Sequence, residues 1–226
     1  MTTIMQLSAL YAEEGWAPEG ARMLDFRSLE GTNCYCSPEA TDQLRKAVTA
    51  LPKGGVHWID TGDYHYISLF WMERIEEPFV LALFDNHPDD QDGAFYSGTL
   101  SCGNWVKNAR KNLPLLKKDY LNTSQIAENL PVYLSVDLDV LQKRYARTDW
   151  SQGDMALSRL LSDIGRICAA HRVLGVDICG GLTAGKGASA EDFRINAATR
   201  RALEDYLSSQ PLDEELRTEY LQTIKR

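Results

Sequence analysis

The stretch FVLALFDNHPDD, Phe79 to Asp90, runs from six apolar residues directly into an imidazole set among three carboxylates. A short, unbroken apolar run bounded by polar residues is the pattern of a strand covered on both faces, whereas a half-exposed strand would alternate. Three other runs share the pattern: VHWID from Val56 to Asp60, VYLSVD from Val132 to Asp137 and VLGVD from Val173 to Asp177. Each of the four closes on an aspartate: Asp60, Asp85, Asp137 and Asp177. In open α/β sheets ligands bind outside the carboxyl ends of the strands, so these aspartates mark where to look for function.

Between the runs lie helical signals. Ser37 before Pro38 predicts an N-cap with proline at the first helical position and a helix to about Leu51. Met155 to His171 carries apolar residues at helical spacing, and Ser189 with Asp192 predicts a capping box opening a helix to about Leu207. Asp213 is expected to cap a last amphipathic helix. Strands alternating with helices predict an α/β fold around a parallel sheet of right-handed βαβ units. No repeat or linker-like stretch interrupts the 226 residues, so one domain over 1–226 is expected.

The chain is 44% hydrophobic and 25% charged, which argues against a disordered or fibrous protein. Its 24 Lys and Arg against 32 Asp and Glu give a net charge of −8, an unfavourable balance for binding nucleic acid or an anionic membrane. No run approaches the ~18 apolar residues of a membrane span. The opening MTTIMQLSALYAEEGW meets acid too early for a secretory signal, so a cytoplasmic location is expected. The five cysteines are odd in number and lack C-x-x-C spacing, which predicts reduced thiols. Cys34-x-Cys36 reads either as a soft-metal or redox pair or as two small loop residues.

The chemistry concentrates in three segments. Asp85-x-His87-x-Asp89 follows one buried run, and Ser135-x-Asp137-x-Asp139 follows another. Carboxylates this close raise one another's pKa unless a cation compensates them. Oxygen donors with one or two imidazoles suit Mn²⁺ or a related divalent ion, and two such ions bridged by carboxylates generate a hydroxide at neutral pH. The third segment is Thr61 to Tyr66, with His65 just beyond a strand end. Each segment also has a plainer reading: surface acids in a turn, a loop-capping aspartate, a core histidine bonded to backbone.

Taken in order, G-D-x-H, D-x-H-x-D and S-x-D-x-D resemble the arginase, agmatinase and formimidoylglutamase group of ureohydrolases, which shares its fold with the histone deacetylases. The resemblance covers about Val56 to Gly181. It implies a three-layer α/β/α sandwich around a parallel sheet and a centre of two Mn²⁺ ions. His65, Asp85, Asp89 and Asp137 would hold one ion, and Asp85, His87, Asp137 and Asp139 the other, with Asp85 and Asp137 bridging. It further implies hydrolysis of a guanidino C–N bond by a metal-bridging hydroxide, giving urea and an amine, with Asp139 as proton acceptor and His87 as the second catalytic side chain. The implied substrate is a small guanidino compound or an arginine within a peptide, and a homo-oligomer is the implied assembly.

The sequence departs from the group's pattern at defined positions. Tyr64 separates Asp63 from His65, where the group has G-G-D-H. In the stretch Ser97 to Asn104, Ser101 stands where a proton-shuttling histidine is expected. Gly180 takes the place of the glutamate that pairs with the guanidinium, with Asp90, Asp92, Asp149 and Asp154 as substitutes from loops. Val140 and Leu141 follow Asp139 where the group continues to Asp-Pro, and the chain is short between Asp89 and Asp137. Three readings therefore compete: a ureohydrolase, an amidohydrolase or deacetylase acting on an acylated amine, and a metal-binding relative without catalysis. Gly180 to Gly187 looks similar to a phosphate loop but lacks the closing Ser or Thr, which favours a mobile loop beside the pocket.

Overall fold

The computed structural model describes residues 1–92 and 99–212. The helix expected from Asp213 onward lies outside the described residues, as do Ser97 and Gly98. The four apolar runs form four neighbouring strands in the middle of one sheet: β4 Val56–Ile59, β9 Val173–Cys179, β8 Val132–Asp137 and β5 Phe79–Phe84, every residue of each buried. Burial on both faces is what the unbroken apolar runs required. Outside them lie β1 Thr2–Gln6 and β2 Arg22–Asp25 on one side and β7 Leu116–Leu121 on the other, completing a seven-stranded sheet in the order β2-β1-β4-β9-β8-β5-β7. All its pairings are parallel, so every carboxyl end faces the same edge.

Helices cover both faces. On one lie α1 Leu10–Glu14, α5 Leu157–Ala170 and α6 Ala190–Ser208, burying Leu160, Ile164, Ile167, Leu203 and Leu207 with Val132, Leu134, Val176 and Ile178 of the sheet. On the other lie α2 Pro38–Thr49, α3 Ile67–Met72 and α4 Trp105–Asn112, packed on Met5, Ile59, Leu81 and Leu83. The caps follow the sequence reading: Ser37 Oγ accepts from the Ala40 N–H, and Ser189 and Asp192 form a capping box. A two-residue antiparallel pair, β3 Tyr35–Cys36 with β6 Leu100–Ser101, stands apart from the main sheet.

Two of the four strand-end aspartates do not serve a site. β9 runs two residues past Asp177, which lies inside the strand opposite His57 and Ser135 and is held by His57 Nδ1 at 2.8 Å and the Tyr133 hydroxyl at 2.7 Å. Asp60 caps the neighbouring loop instead: Oδ2 accepts the N–H groups of Leu7 and Ser8 at 2.8 Å, and Oδ1 accepts that of Thr61 at 2.9 Å. An aspartate closing a strand is a loop cap as readily as a ligand, and Asp60 is the former.

Candidate metal centre

Asp85 and Asp137 leave adjacent positions on the sheet's carboxyl edge, since β5 and β8 are hydrogen-bonded neighbours. The loops that follow interlock. His87 N–H turns back onto Asp85 Oδ1 at 2.7 Å, and a single 3₁₀ turn, Leu138–Val140, is capped by Asp137 Oδ1 accepting the Asp139 N–H at 2.8 Å. Asn86 N–H then donates to Asp139 Oδ1 at 3.0 Å, tying one loop to the other. Asp89, at φ +46°, is anchored by the Trp105 indole, whose Nε1 donates to Asp89 Oδ2 at 2.6 Å.

His65 reaches this cluster from beyond β4. The 3₁₀ turn Gly62–Tyr64 absorbs the extra Tyr64 and leaves His65 at its C-terminus. His65 Nδ1 lies 3.2 Å from Asp85 Oδ2, 3.1 Å from Asp89 Oδ2 and 3.8 Å from Asp137 Oδ2. His87 Nδ1 lies 2.8 Å from Asp139 Oδ2 and 3.6 Å from Asp85 Oδ1. The six residues singled out in the sequence thus converge, five of them lining a cavity of about 200 Å³ with His65 buried behind. Two triads share Asp85: His65 with Asp85 and Asp89, and Asp85 with His87 and Asp139.

The electrostatics are those of an overfilled acidic pocket. Burial and the repulsion of Asp139 and Asp85 push the Asp137 carboxyl well above its usual range. Burial lifts Asp139 to about 6 despite its bond to His87. Burial opposes ionisation of Asp85 as well, but His65 and His87 outweigh it and hold that carboxyl down at about 2. The Asp139 and Asp85 carboxylates hold the His87 imidazole up to about 10. Burial alone would lower His65; the Cys179 thiol and the carboxylates of Asp85 and Asp89 reverse the sign and leave it well above its usual value.

This donor set fits divalent ions. Both imidazoles turn Nδ1 to the carboxylates and rest Nε2 on a serine hydroxyl, His65 on Ser135 and His87 on Ser151, each at 2.8 Å. That is how ligating histidines are oriented, one nitrogen on the ion and the other on an outer partner. Asp85 Oδ2 is buried and accepts no hydrogen bond. Four carboxylates against two imidazoles leave a buried excess of negative charge, which costs several kcal/mol unless a cation offsets it.

Known proteins share this architecture. No family model matches the sequence. An uncharacterized protein of Thermotoga maritima is 28% identical, the match spanning 78% of each chain. Proclavaminate amidino hydrolase of Streptomyces clavuligerus superposes with a TM-score of 0.66 at 14% identity, over 91% of this chain and 90% of its own. A triple mutant of the arginase-like protein of T. brucei, bound with Mn²⁺, superposes at 0.57 with 17% identity, over 93% of this chain and 91% of its own. The chain has the ureohydrolase fold.

Within that fold the departures have physical causes. Gly180 sits at φ +98° against Asp137, and a Cβ there would meet Asp137 Oδ1 at 2.5 Å and Leu138 N at 2.8 Å, so a glutamate is excluded rather than merely absent. Ser101 is on the cavity wall, beside Cys102. Of the acids named as substitutes for the glutamate, only Asp92 lines the cavity. Asp149 is occupied by Lys186 Nζ at 2.9 Å, Asp90 pairs with Arg110 at 3.1 Å, and Asp154 is exposed. Lys186 also reaches Asp63 Oδ2 at 3.1 Å, so the glycine-rich loop is tied to the site rather than hanging free.

Three neighbours escaped the sequence reading, and a fourth, Ser135, was quoted there without a role. Ser135 had a signal: two residues before Asp137 on one strand, it must share its face. Trp105 and Ser151 had none, because they arrive from distant loops. Cys179 is the Cα register partner of Asp137 on the adjoining strand, and only the strand pairing reveals it.

Proposed function

We propose that this chain is a metal-dependent hydrolase of the ureohydrolase type, cleaving a guanidino C–N bond to give urea and an amine. The observation that carries the reading is the convergence of His65, Asp85, His87, Asp89, Asp137 and Asp139 on one cavity at the carboxyl edge of a ureohydrolase-type sheet. His65, Asp85, Asp89 and Asp137 would hold one divalent ion, and Asp85, His87, Asp137 and Asp139 a second; the oxygen-rich set suits Mn²⁺. Bound there, the ions would supply Lewis acidity and acidify water to near-neutral pKa.

The protein's own groups position and move protons. Asn86 N–H fixes Asp139 Oδ1, leaving Oδ2 toward His87 and the cavity as the proton acceptor from the attacking water. The same carboxyl returns the proton to the departing amine, a role suited to a group poised at about 6. His87, with Nε2 on Ser151 and its ring edge-on to Trp150 at 5.9 Å, lines the way in. The excess of carboxylates favours approach of a cationic guanidinium, screened by salt.

The walls favour a second substrate class strongly enough to be tested beside the first. With Gly180 unable to carry a carboxylate, the guanidinium loses an expected partner, and an acylated amine would not need one. The experiment is a Mn²⁺-loaded assay on free arginine, agmatine-like amines, arginine peptides and acetylated lysine, reading urea and acetate separately. Urea release supports the proposal; acetate without urea selects the amidohydrolase reading; neither, with both ions bound, selects a non-catalytic metal protein.

A further inference from the structure

Cys179 closes β9 one position before Gly180, and its Cα pairs across the sheet with Asp137. Paired residues on neighbouring parallel strands send their side chains out on the same face ~4.8 Å apart. The thiol is buried, with Sγ 3.1 Å from Asp137 Oδ2. Its Sγ, a ring nitrogen of His65 and an Asp137 oxygen all lie within 4.8 Å of one another. Asp85 Oδ2, 3.2 Å from His65 Nδ1, is a buried oxygen that accepts no hydrogen bond.

We propose that Cys179 is a thiolate ligand of the ion held by His65, making the two halves of the centre chemically unequal. The inference rests on the metal-centre reading above. The half built from Asp85, His87 and Asp139 offers only oxygen and nitrogen and suits Mn²⁺; the half built from His65, Asp137 and Cys179 gains a soft sulfur donor and turns toward Zn²⁺, Fe²⁺ or Co²⁺. Ligation forms one metal–sulfur bond and releases the thiol proton to solvent, with no change of oxidation state. Gly180 makes room for this arrangement, since a side chain there would displace Asp137 from between the two halves.

The test titrates chelator-treated full-length protein with Co²⁺ and compares it with Cys179→Ser. Wild type should bind Co²⁺ with a near-ultraviolet sulfur-to-cobalt charge-transfer band; Cys179→Ser should keep the visible cobalt bands and lose the charge-transfer band. Competition of Zn²⁺ against Mn²⁺ should favour Zn²⁺ by about tenfold less in the variant, the scale on which a change of metal surroundings is felt. Cadmium NMR of the wild type reads the same ligand without any variant: a thiolate-shifted resonance supports the proposal and an oxygen/nitrogen-only shift overturns it. Cobalt bound without a charge-transfer band overturns the role of Cys179 and leaves the metal centre standing. A band that survives in Cys179→Ser belongs to Cys34 or Cys102, which line the cavity, and also overturns it. No cobalt uptake at all overturns the metal centre together with this inference.

Discussion

Two clusters of buried histidine and aspartate sit on the same face of the sheet, one row apart. In the inner row His57, Asp177 and Ser135 are register partners; in the next row toward the carboxyl edge Ile59, Cys179 and Asp137 are. The inner cluster holds one acid, Asp177, between His57 and Tyr133, with the imidazole stacked on Trp71 at 3.5 Å. The outer one crowds four acids around two imidazoles and opens on a cavity. A carboxylate oxygen without a hydrogen bond occurs in both, on Asp177 and on Asp85, so that feature alone does not mark a site. What separates them is the balance of charge and access to solvent: one acid per imidazole in a closed row is a structural pair, whereas two acids per imidazole at an open edge call for a cation.

The largest effect expected from this contrast comes from removing a shared acid. Asp85→Asn or Asp137→Asn should lower Mn²⁺ affinity by more than about a hundredfold, beyond the loss typical of outer-shell changes. Asp137→Asn should leave the metal-free fold as stable as wild type or more so, because it relieves buried repulsion, whereas Asp85→Asn gives up the attraction of His65 and His87 and should lower it. Isothermal calorimetry and thermal melts in chelator read the two effects separately. If metal-free Asp137→Asn melts well below wild type, the outer cluster is a structural pair like the inner one.

Asp177→Ala should do the reverse. It strips the acceptor from His57 Nδ1 and the Tyr133 hydroxyl, and each buried group left unpaired costs roughly 1–3 kcal/mol. Urea denaturation should show that loss while the ions bound per folded molecule stay unchanged.

Acidity sharpens the contrast further. Ions take imidazole in its neutral form, and in chelator-treated protein His87 keeps its proton up to about 10. Binding must therefore displace that proton below this pH, so affinity should climb as pH rises, by at most about tenfold per unit for each histidine displaced. Calorimetry in buffers of different ionisation enthalpy between about pH 6 and 9 would count the protons released. A flat profile would remove His87 from the ligand set. The smallest effect is expected at an outer partner: Ser151→Ala frees His87 Nε2 and should weaken binding about tenfold, with little change in melting temperature.

Much of this was legible in the chain itself. The four unbroken apolar runs are the four central strands, because a strand buried on both faces leaves its composition on every residue. The outer strands leave weaker marks: β7 is LKKDYL, half-exposed at the sheet edge, and β2 is RMLD, exposed at the other. The helix α3, ISLFWM, is buried on all sides and so shows no helical period. The ligand motifs were readable because each lies within five residues of chain, next to a strand end. Asp60 and Asp177 close their apolar runs as Asp85 and Asp137 do, and hydrogen bonding to Ser8 and to His57 shows them to be structural. Cys179, Trp105 and Ser151 could not be seen, because their neighbours are set by strand register and loop packing rather than by adjacency.

The outer cluster, on this reading, exists to hold ions. Diffraction from crystals grown with Mn²⁺, collected at the manganese absorption edge, tests it most directly. Two anomalous peaks are expected to flank Asp85, one beside His65 and one beside His87; crystals saturated with Mn²⁺ that show no peak between these side chains would rule the metal centre out.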